Sequence, residues 1–306
     1  MVDDKTLYEV KSRTQANFGA LWLRNFAAIK GEVSRRPRIS ALFDTLEGVP
    51  AIVVGAGPSL DKNLRLLKLA EGRALIICVD TILSALQTAD IAPSVVVTLD
   101  PQPETALMFS RARTESLTLA APTIISPRAL AAWKGEVVFY HKYAPDIPPL
   151  VQVARAAPQV GYLIPGGSVL SVGLDLAFRM GCDPIAFAGQ DLSYPPGAAY
   201  SRHTVYGDAG FGEMFREKMG DMVTSADIFG RVLPTQKSLF VTKQWMEWAF
   251  GALKREKPAA FYNCTEGGIV TQGCRIVTLR EWLARFARER RNIAWAMKKA
   301  LSRGKR

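Results

Sequence analysis

The stretch Ala51-Ile52-Val53-Val54-Gly55-Ala56-Gly57-Pro58-Ser59-Leu60 constrains the fold more than any other: a short apolar run meets two glycines, a proline and a serine, then a helical pattern. Gly55 and Gly57 let the backbone approach a ligand closely, and Pro58 suits a first helical position because it has no N–H to leave unpaired. Ser59 or Asp61 can cap a helix carrying Leu60, Leu64, Leu67 and Leu69. Free amides at the positive end of such a helix form a site for a nucleotide's phosphates. The pattern is not a dinucleotide G-x-G-x-x-G, since Leu60 stands where the third glycine belongs, nor a Walker A loop, since no Gly-Lys-Ser/Thr follows. The plainer alternative is a tight strand-to-helix turn with no ligand.

Further strand-like runs fall at 74–79, 95–99, 122–126, 136–140 and 184–188, most of them separated by helical stretches. Continuous apolar strands alternating with helices predict a Rossmann-like, doubly wound α/β fold with a mostly parallel sheet covered on both faces. Residues 1–48 read as a helical N-terminal flank, with Leu7, Val10, Phe18, Leu21, Leu23, Phe26 and Ile29 near helical spacing and an end at Arg36-Pro37. The nucleotide-binding domain is expected over 49–275, and a basic C-terminal helix over 276–306.

Ligands of such sheets bind at the carboxyl ends of the strands, near the point where the strand order reverses. The polar residues there are Asp80 after the second strand, Asp100 and Gln102 after the third, and Gly189-Gln190-Asp191 after the run 184–188. Any one aspartate could simply cap a helix. A second glycine turn, Gly166-Gly167-Ser168, opens the helical pattern from Val169 to Met180 and offers amides to a phosphate or carboxylate. The irregular stretch 194–208, rich in tyrosine, reads as a lid, and its His203 is a candidate acid/base group or a plain surface histidine. His141, ending a strand-like run, reads as structural.

The net charge of +11 is concentrated at the C-terminus, where residues 280–306 hold ten Lys or Arg against two Glu. A nucleic-acid groove needs cations across the folded surface, so no nucleic-acid partner is expected. The tail reads as an amphipathic helix with Trp282, Leu283, Phe286, Ile293, Trp295, Met297 and Leu301 along it. Either its apolar stripe is packed, or it contacts an anionic membrane surface or an acidic partner. The acidic, polar start and the absence of a membrane-length apolar run lead us to expect a cytoplasmic protein. Cys78, Cys182, Cys264 and Cys274 lack CxxC spacing and are expected to be unpaired thiols, with no metal site.

Seven segments in order resemble one family: Gly55 to Leu64, Val79-Asp80-Thr81, Thr98-Leu99-Asp100-Pro101-Gln102, Gly166-Gly167-Ser168-Val169, Gly181-Cys182-Asp183-Pro184-Ile185, Gly189-Gln190-Asp191-Leu192 and Asn263-Cys264-Thr265-Glu266-Gly267-Gly268. They are similar to the motility accessory factor family of flagellin glycosyltransferases over roughly residues 30–285. That family is similar in turn to bacterial sialyltransferases. The resemblance implies a donor in which a CMP-linked nonulosonic acid is transferred to a hydroxyl of flagellin or of a glycan, with no obligatory cofactor. It implies that Gly55, Gly57, Pro58, Ser59, Asp80, Asp100, Gln102, Gly166, Gly167, Ser168 and Glu266 hold the donor, while Gln190, Asp191 and His203 face the reacting centre. The domain is also similar to archaeal 6-hydroxymethylpterin pyrophosphokinases, which implies ATP and Mg as the alternative. Only Asp100 stands where those enzymes present paired aspartates, and the flanks are shorter than those of the flagellin transferases. A third reading is a non-catalytic nucleotide-binding accessory protein.

Overall fold

A computed structural model describes residues 4–195, 198–204, 206 and 221–303. Nine strands form one sheet in the order β11-β10-β7-β1-β2-β3-β4-β5-β6. Their ranges are β1 Ala51–Val54, β2 Leu75–Val79, β3 Val95–Val97, β4 Thr118–Pro122, β5 Glu136–Lys142, β6 Tyr162–Leu163, β7 Ile185–Ala188, β10 Phe261–Asn263 and β11 Arg275–Ile276. Every pairing in this sheet is parallel. Two further strands, β8 Met222–Ala226 and β9 Val232–Gln236, make a separate antiparallel hairpin. The expected doubly wound α/β architecture is what the chain adopts.

The central strands are buried from end to end, as their uninterrupted Val, Ile and Leu runs require of strands covered on both faces. The helix Val169–Arg179 packs against β1, β2, β3 and β7. Gly173 allows its close approach, since a Cβ there would lie 2.7 Å from Val53 Cγ1. The long helix Asp4–Arg35 buries Trp22, Phe26, Ile29 and Val33 and packs along the helix Pro148–Ala156. These residues, the sheet, and Trp282, Ile293, Met297 and Leu301 near the C-terminus share one continuous core.

Three local expectations change. The fourth strand is Thr118–Pro122, not 122–126. Pro122 cannot donate a ladder hydrogen bond and stands at the strand's last position, so Ile124 and Ile125 pack as a buried connection instead. No α-helix follows the first glycine turn; two 3-10 segments do, Pro58–Lys62 and Leu64–Ala70. The residue before Pro58 is Gly57, which has no side chain to cap a helix, and Ser59 is committed elsewhere. The basic tail is two helices, Leu279–Phe286 and Ile293–Arg303. Thr278 and Glu281 form a capping box that fixes the start of the first. The apolar stripe of the tail is packed, except that Trp295 is 57% exposed with the Lys299 ammonium 4.5 Å above its ring.

Among the described residues no helix is long and apolar enough to cross a membrane. The four cysteines are free thiols, and burial pushes those of Cys78, Cys182 and Cys264 well up. His141 is structural: its ring nitrogens lie 2.9 Å from Thr123 Oγ1 and 2.8 Å from the Ala157 carbonyl, and burial holds its pKa down.

Candidate functional site

The strand order reverses between β1 and β7. Their carboxyl ends run into Gly55-Ala56-Gly57 and Gly189-Gln190-Asp191, which are pressed together. The Gly55 amide donates to the Ala188 carbonyl at 2.8 Å and the Gly57 amide to that of Gly189 at 2.7 Å. A Cβ at Gly55 would meet Gly189 O at 2.5 Å, and one at Gly57 would meet Asp191 Oδ2 at 2.0 Å. The turn is therefore closed by protein. Ser59 donates to Asp191 Oδ1 from its amide at 3.2 Å and from its hydroxyl at 2.5 Å. Gly267 seals the pair from the other side, since a Cβ there would lie 2.2 Å from Ser59 Oγ. The Ile269 amide donates to the Asp191 carbonyl at 3.0 Å.

This differs from the expected phosphate cradle for a physical reason. Buried amides must find acceptors, and a carboxylate on the neighbouring strand end supplies one. Asp191 is 3% exposed. Burial raises its pKa to about 6, against the opposing pull of the two Ser59 bonds and the Lys62 charge. Leu192 follows at φ +52°, where a non-glycine residue carries local backbone strain, whereas Gly189 takes φ +70° without that cost.

The second glycine turn makes its own cluster. Ser168 caps the helix Val169–Arg179 by accepting from the Ser171 amide, and it accepts from Gln190 Nε2 at 3.1 Å. The Gly166 amide donates to Ser171 Oγ at 2.7 Å. The helix Lys237–Glu256 covers the turn: a Cβ at Gly166 would stand 1.8 Å from the Trp245 ring, and one at Gly167 2.5 Å from Thr242 Oγ1. Gln190 is thus brought to Ser168. Glu266 is a tie between elements, its Oε1 accepting from Asn63 Nδ2 at 2.9 Å and from the Leu279 amide at 3.0 Å.

The ends of β2, β3 and β5 form a third group. Asp80 is buried, and both its oxygens are occupied: Oδ1 by the Thr81 amide at 2.7 Å and hydroxyl at 3.1 Å, Oδ2 by Thr98 Oγ1 at 2.5 Å. Burial raises its pKa in spite of those donors. Asp100 is exposed, and its Oδ1 accepts from the Gln102 amide at 2.9 Å. Its carboxyl is also held upward, by partial desolvation and by the charge of Glu104. Behind this group the Asn25 side chain donates to the carbonyls of Pro101 at 2.8 Å and Ile124 at 2.9 Å.

The irregular stretch leans over these strand ends. The Ser201 amide donates to the Ala56 carbonyl at 2.8 Å, and Asp61 accepts from the Ser201 hydroxyl and from Arg202 Nε. The rings of Tyr200 and Tyr206 lie 5.2 Å apart, and both phenols are pushed upward by burial and by the charge of Asp80. His203 is exposed beside them. Residues 196, 197, 205, 207 and 208 of this stretch lie outside the described residues.

Ser59 and Asp191 are thus joined directly, as are Gln190 and Ser168, while Asp80, Asp100 and Gln102 stand along the neighbouring strand ends. Sequence reasoning missed Lys142, the last residue of β5, whose only signal is a lysine closing the apolar run Val137-Val138-Phe139-Tyr140. It also missed the role of Asp61 as anchor of the irregular stretch. Among the described residues no group of three or more His, Cys, Asp or Glu is arranged to hold a metal.

No curated protein matches the chain. The solved structure of a MAf glycosyltransferase from Magnetospirillum magneticum AMB-1 superposes with a TM-score of 0.66 at 20% identity, covering 94% of this chain and 42% of that one. The shared fold therefore spans less than half of that transferase. A family model described as 6-hydroxymethylpterin diphosphokinase MptE-like matches residues 23–197, more than half of the chain. The chain belongs to this MptE-like family.

Proposed function

We propose that the protein is a transferase that takes a nonulosonic acid from a CMP-linked donor and places it on a protein or glycan hydroxyl, with flagellin as one acceptor of that kind. The observation that carries this reading is the state of the aspartates. Asp80 has both oxygens occupied by protein donors, which leaves Asp100, exposed and with one oxygen on the Gln102 amide, as the accessible aspartate of the two. A magnesium-held triphosphate typically uses one or two carboxylates together with the substrate phosphates and waters, and Asp100 by itself is the minimum of that set. A CMP-linked sugar needs none, because its leaving phosphate departs readily and can be steadied by protein donors. The shared fold with a MAf glycosyltransferase supports the same reading.

In the reaction the acceptor oxygen forms a bond to the anomeric carbon, and the bond from that carbon to the CMP phosphate oxygen breaks. CMP takes the electron pair. The acceptor proton passes to a base, and the exposed His203 is the candidate, since Asp191 is sealed against Ser59. Asp100 and Gln102 orient hydroxyls of the donor, and the two glycine turns shape the floor, with the amides of Gly55, Gly57, Ser59 and Gly166 already given to protein acceptors.

A second reading is diphosphoryl transfer from ATP with magnesium, favoured by the family match itself. Thermal-shift measurements with CMP, CDP, ATP and GTP, each with and without magnesium, separate the two. Stabilisation by cytidine nucleotides without magnesium, followed by release of CMP from CMP-N-acetylneuraminic acid, supports glycosyl transfer. Stabilisation by ATP only with magnesium overturns it.

A further inference from the structure

We propose that Lys142 receives the acidic group of the bound ligand, a phosphate or a carboxylate, on an ammonium held over Trp22 and near Asp100 at the carboxyl edge of the sheet. The proposal rests on the reading of this edge as the donor site.

Lys142 ends β5, and its side chain is partly buried. Its ammonium lies 5.5 Å from the centroid of the fully buried Trp22 ring. Among the described residues no carboxylate comes within ion-pairing distance of it. Other cations drawn into the body are paired: Arg179 with Asp175 at 2.9 Å, and Lys243 with Glu247 at 2.8 Å. An ammonium removed from water without a partner is disfavoured, and burial accordingly pulls the Lys142 pKa down while the Asp100 charge opposes it. A ligand anion would supply the missing partner.

The surroundings fit an acid group set among hydroxyls. Asp100, whose charge acts on the cation, and Glu104, whose charge acts on Asp100, are exposed acceptors, and both act on the Tyr206 phenol. Asn25 holds the connections after β3 and β4 against the helix that carries Trp22. A single cation with one carboxylate near it matches one phosphate or carboxylate, whose hydroxyl-bearing neighbours Asp100 can accept from, better than the several charges of a polyphosphate.

The test uses the full chain with Lys142→Met and Lys142→Arg, and calorimetric binding of CMP, CMP-N-acetylneuraminic acid and ATP with magnesium. We expect Lys142→Met to lower affinity for CMP-N-acetylneuraminic acid at least tenfold and Lys142→Arg to recover most of it. A loss confined to the sugar nucleotide places the carboxylate on Lys142, and an equal loss for CMP places the phosphate there. If the wild type binds only ATP, the glycosyl-donor reading fails, while a tenfold loss in Lys142→Met still supports the anion role. Should Lys142→Met fold poorly, protection of Lys142 from acetic anhydride by ligand, read by mass spectrometry on the wild type, replaces it. Wild-type affinity in Lys142→Met, no protection, or no binding of any of the three probes by the wild type each overturns the proposal.

Discussion

Ser59 gives both its amide and its hydroxyl to the carboxylate of Asp191, a residue 132 positions further along the chain. The contact fastens the end of β1 to the end of β7 at the place where the sheet changes direction. Its strength comes from charge: hydrogen bonds to an ionised acceptor contribute about 1.5–3 kcal/mol, more than neutral ones. Removing the hydroxyl in Ser59→Ala should therefore lower unfolding stability by roughly 1–3 kcal/mol, read from urea denaturation. A change below about 0.5 kcal/mol would mean that the contact contributes little.

Gly57→Ala should also destabilise, by about 1–3 kcal/mol, and Gly57→Val by more, because the new Cβ would stand 2.0 Å from Asp191 Oδ2 and 2.7 Å from the Gly189 carbonyl. The carbonyl is backbone and cannot swing aside. Melting temperatures equal to the wild type for both variants would contradict the close approach.

Asp191 makes stability depend on pH in a definite direction. Its pKa is about 6 in the folded protein and about 3.9 in an unfolded chain. The folded state therefore holds the proton more tightly, and the contribution is fully present below about pH 4. It is lost as pH rises towards about 6, for a total on the order of 3 kcal/mol. Asp80 and Asp175 are shifted the same way by burial, so the test is the difference between Asp191→Asn and wild type. That difference should change between pH 4 and pH 6 and stay level above; a constant difference would remove Asp191 as the source.

The C-terminal helix should matter for folding and not for ligand. Leu301 and Met297 are buried where Ile293–Arg303 packs on the 3-10 segment Ile39–Leu42. There a groove of about 610 Å³, lined by Phe43, Trp295, Lys299 and Arg303, lies at the amino edge of the sheet. Deleting 298–306 removes Leu301 and should cost roughly 1.5–3 kcal/mol. Replacing Lys298 and Lys299 by Gln should leave both stability and nucleotide affinity unchanged. A loss of nucleotide affinity in the double Gln variant would bring the tail into the site.

Asn25→Leu should cost about 2–4 kcal/mol, since the Pro101 and Ile124 carbonyls would lose their donor in a buried place. Ligand affinity should fall with it, because the Asp100 connection would loosen. Unaltered stability together with unaltered affinity would show that the helix merely covers this edge.

The parallel sheet was legible because Ile52-Val53-Val54, Leu75-Ile76-Ile77 and Val95-Val96-Val97 admit little besides buried strands. The two-residue β6 and β11 left no periodic trace to find. The strand end at Gly189-Gln190-Asp191 was legible as polar, yet its partner was not. Only the folded register shows that Asp191 points back at Ser59 and takes its amide, while those of Gly55 and Gly57 go to the carbonyls of Ala188 and Gly189. Lys142 was hidden for a related reason: an unpaired ammonium is a statement about three-dimensional neighbours, and its neighbour Trp22 lies in another element far back in the chain. His203 was found by residue type alone, and the structure leaves it exposed beside Tyr200 and Tyr206.

The sheet ends on both sides in strands of two residues, Tyr162–Leu163 and Arg275–Ile276. A long outer strand would present a row of unpaired amides and carbonyls on which another chain could template itself. Here each rim offers too short a ladder for that. The nine parallel strands of the described residues thus present little edge for a second copy to extend, and lengthening either rim by a few β-branched residues should create one.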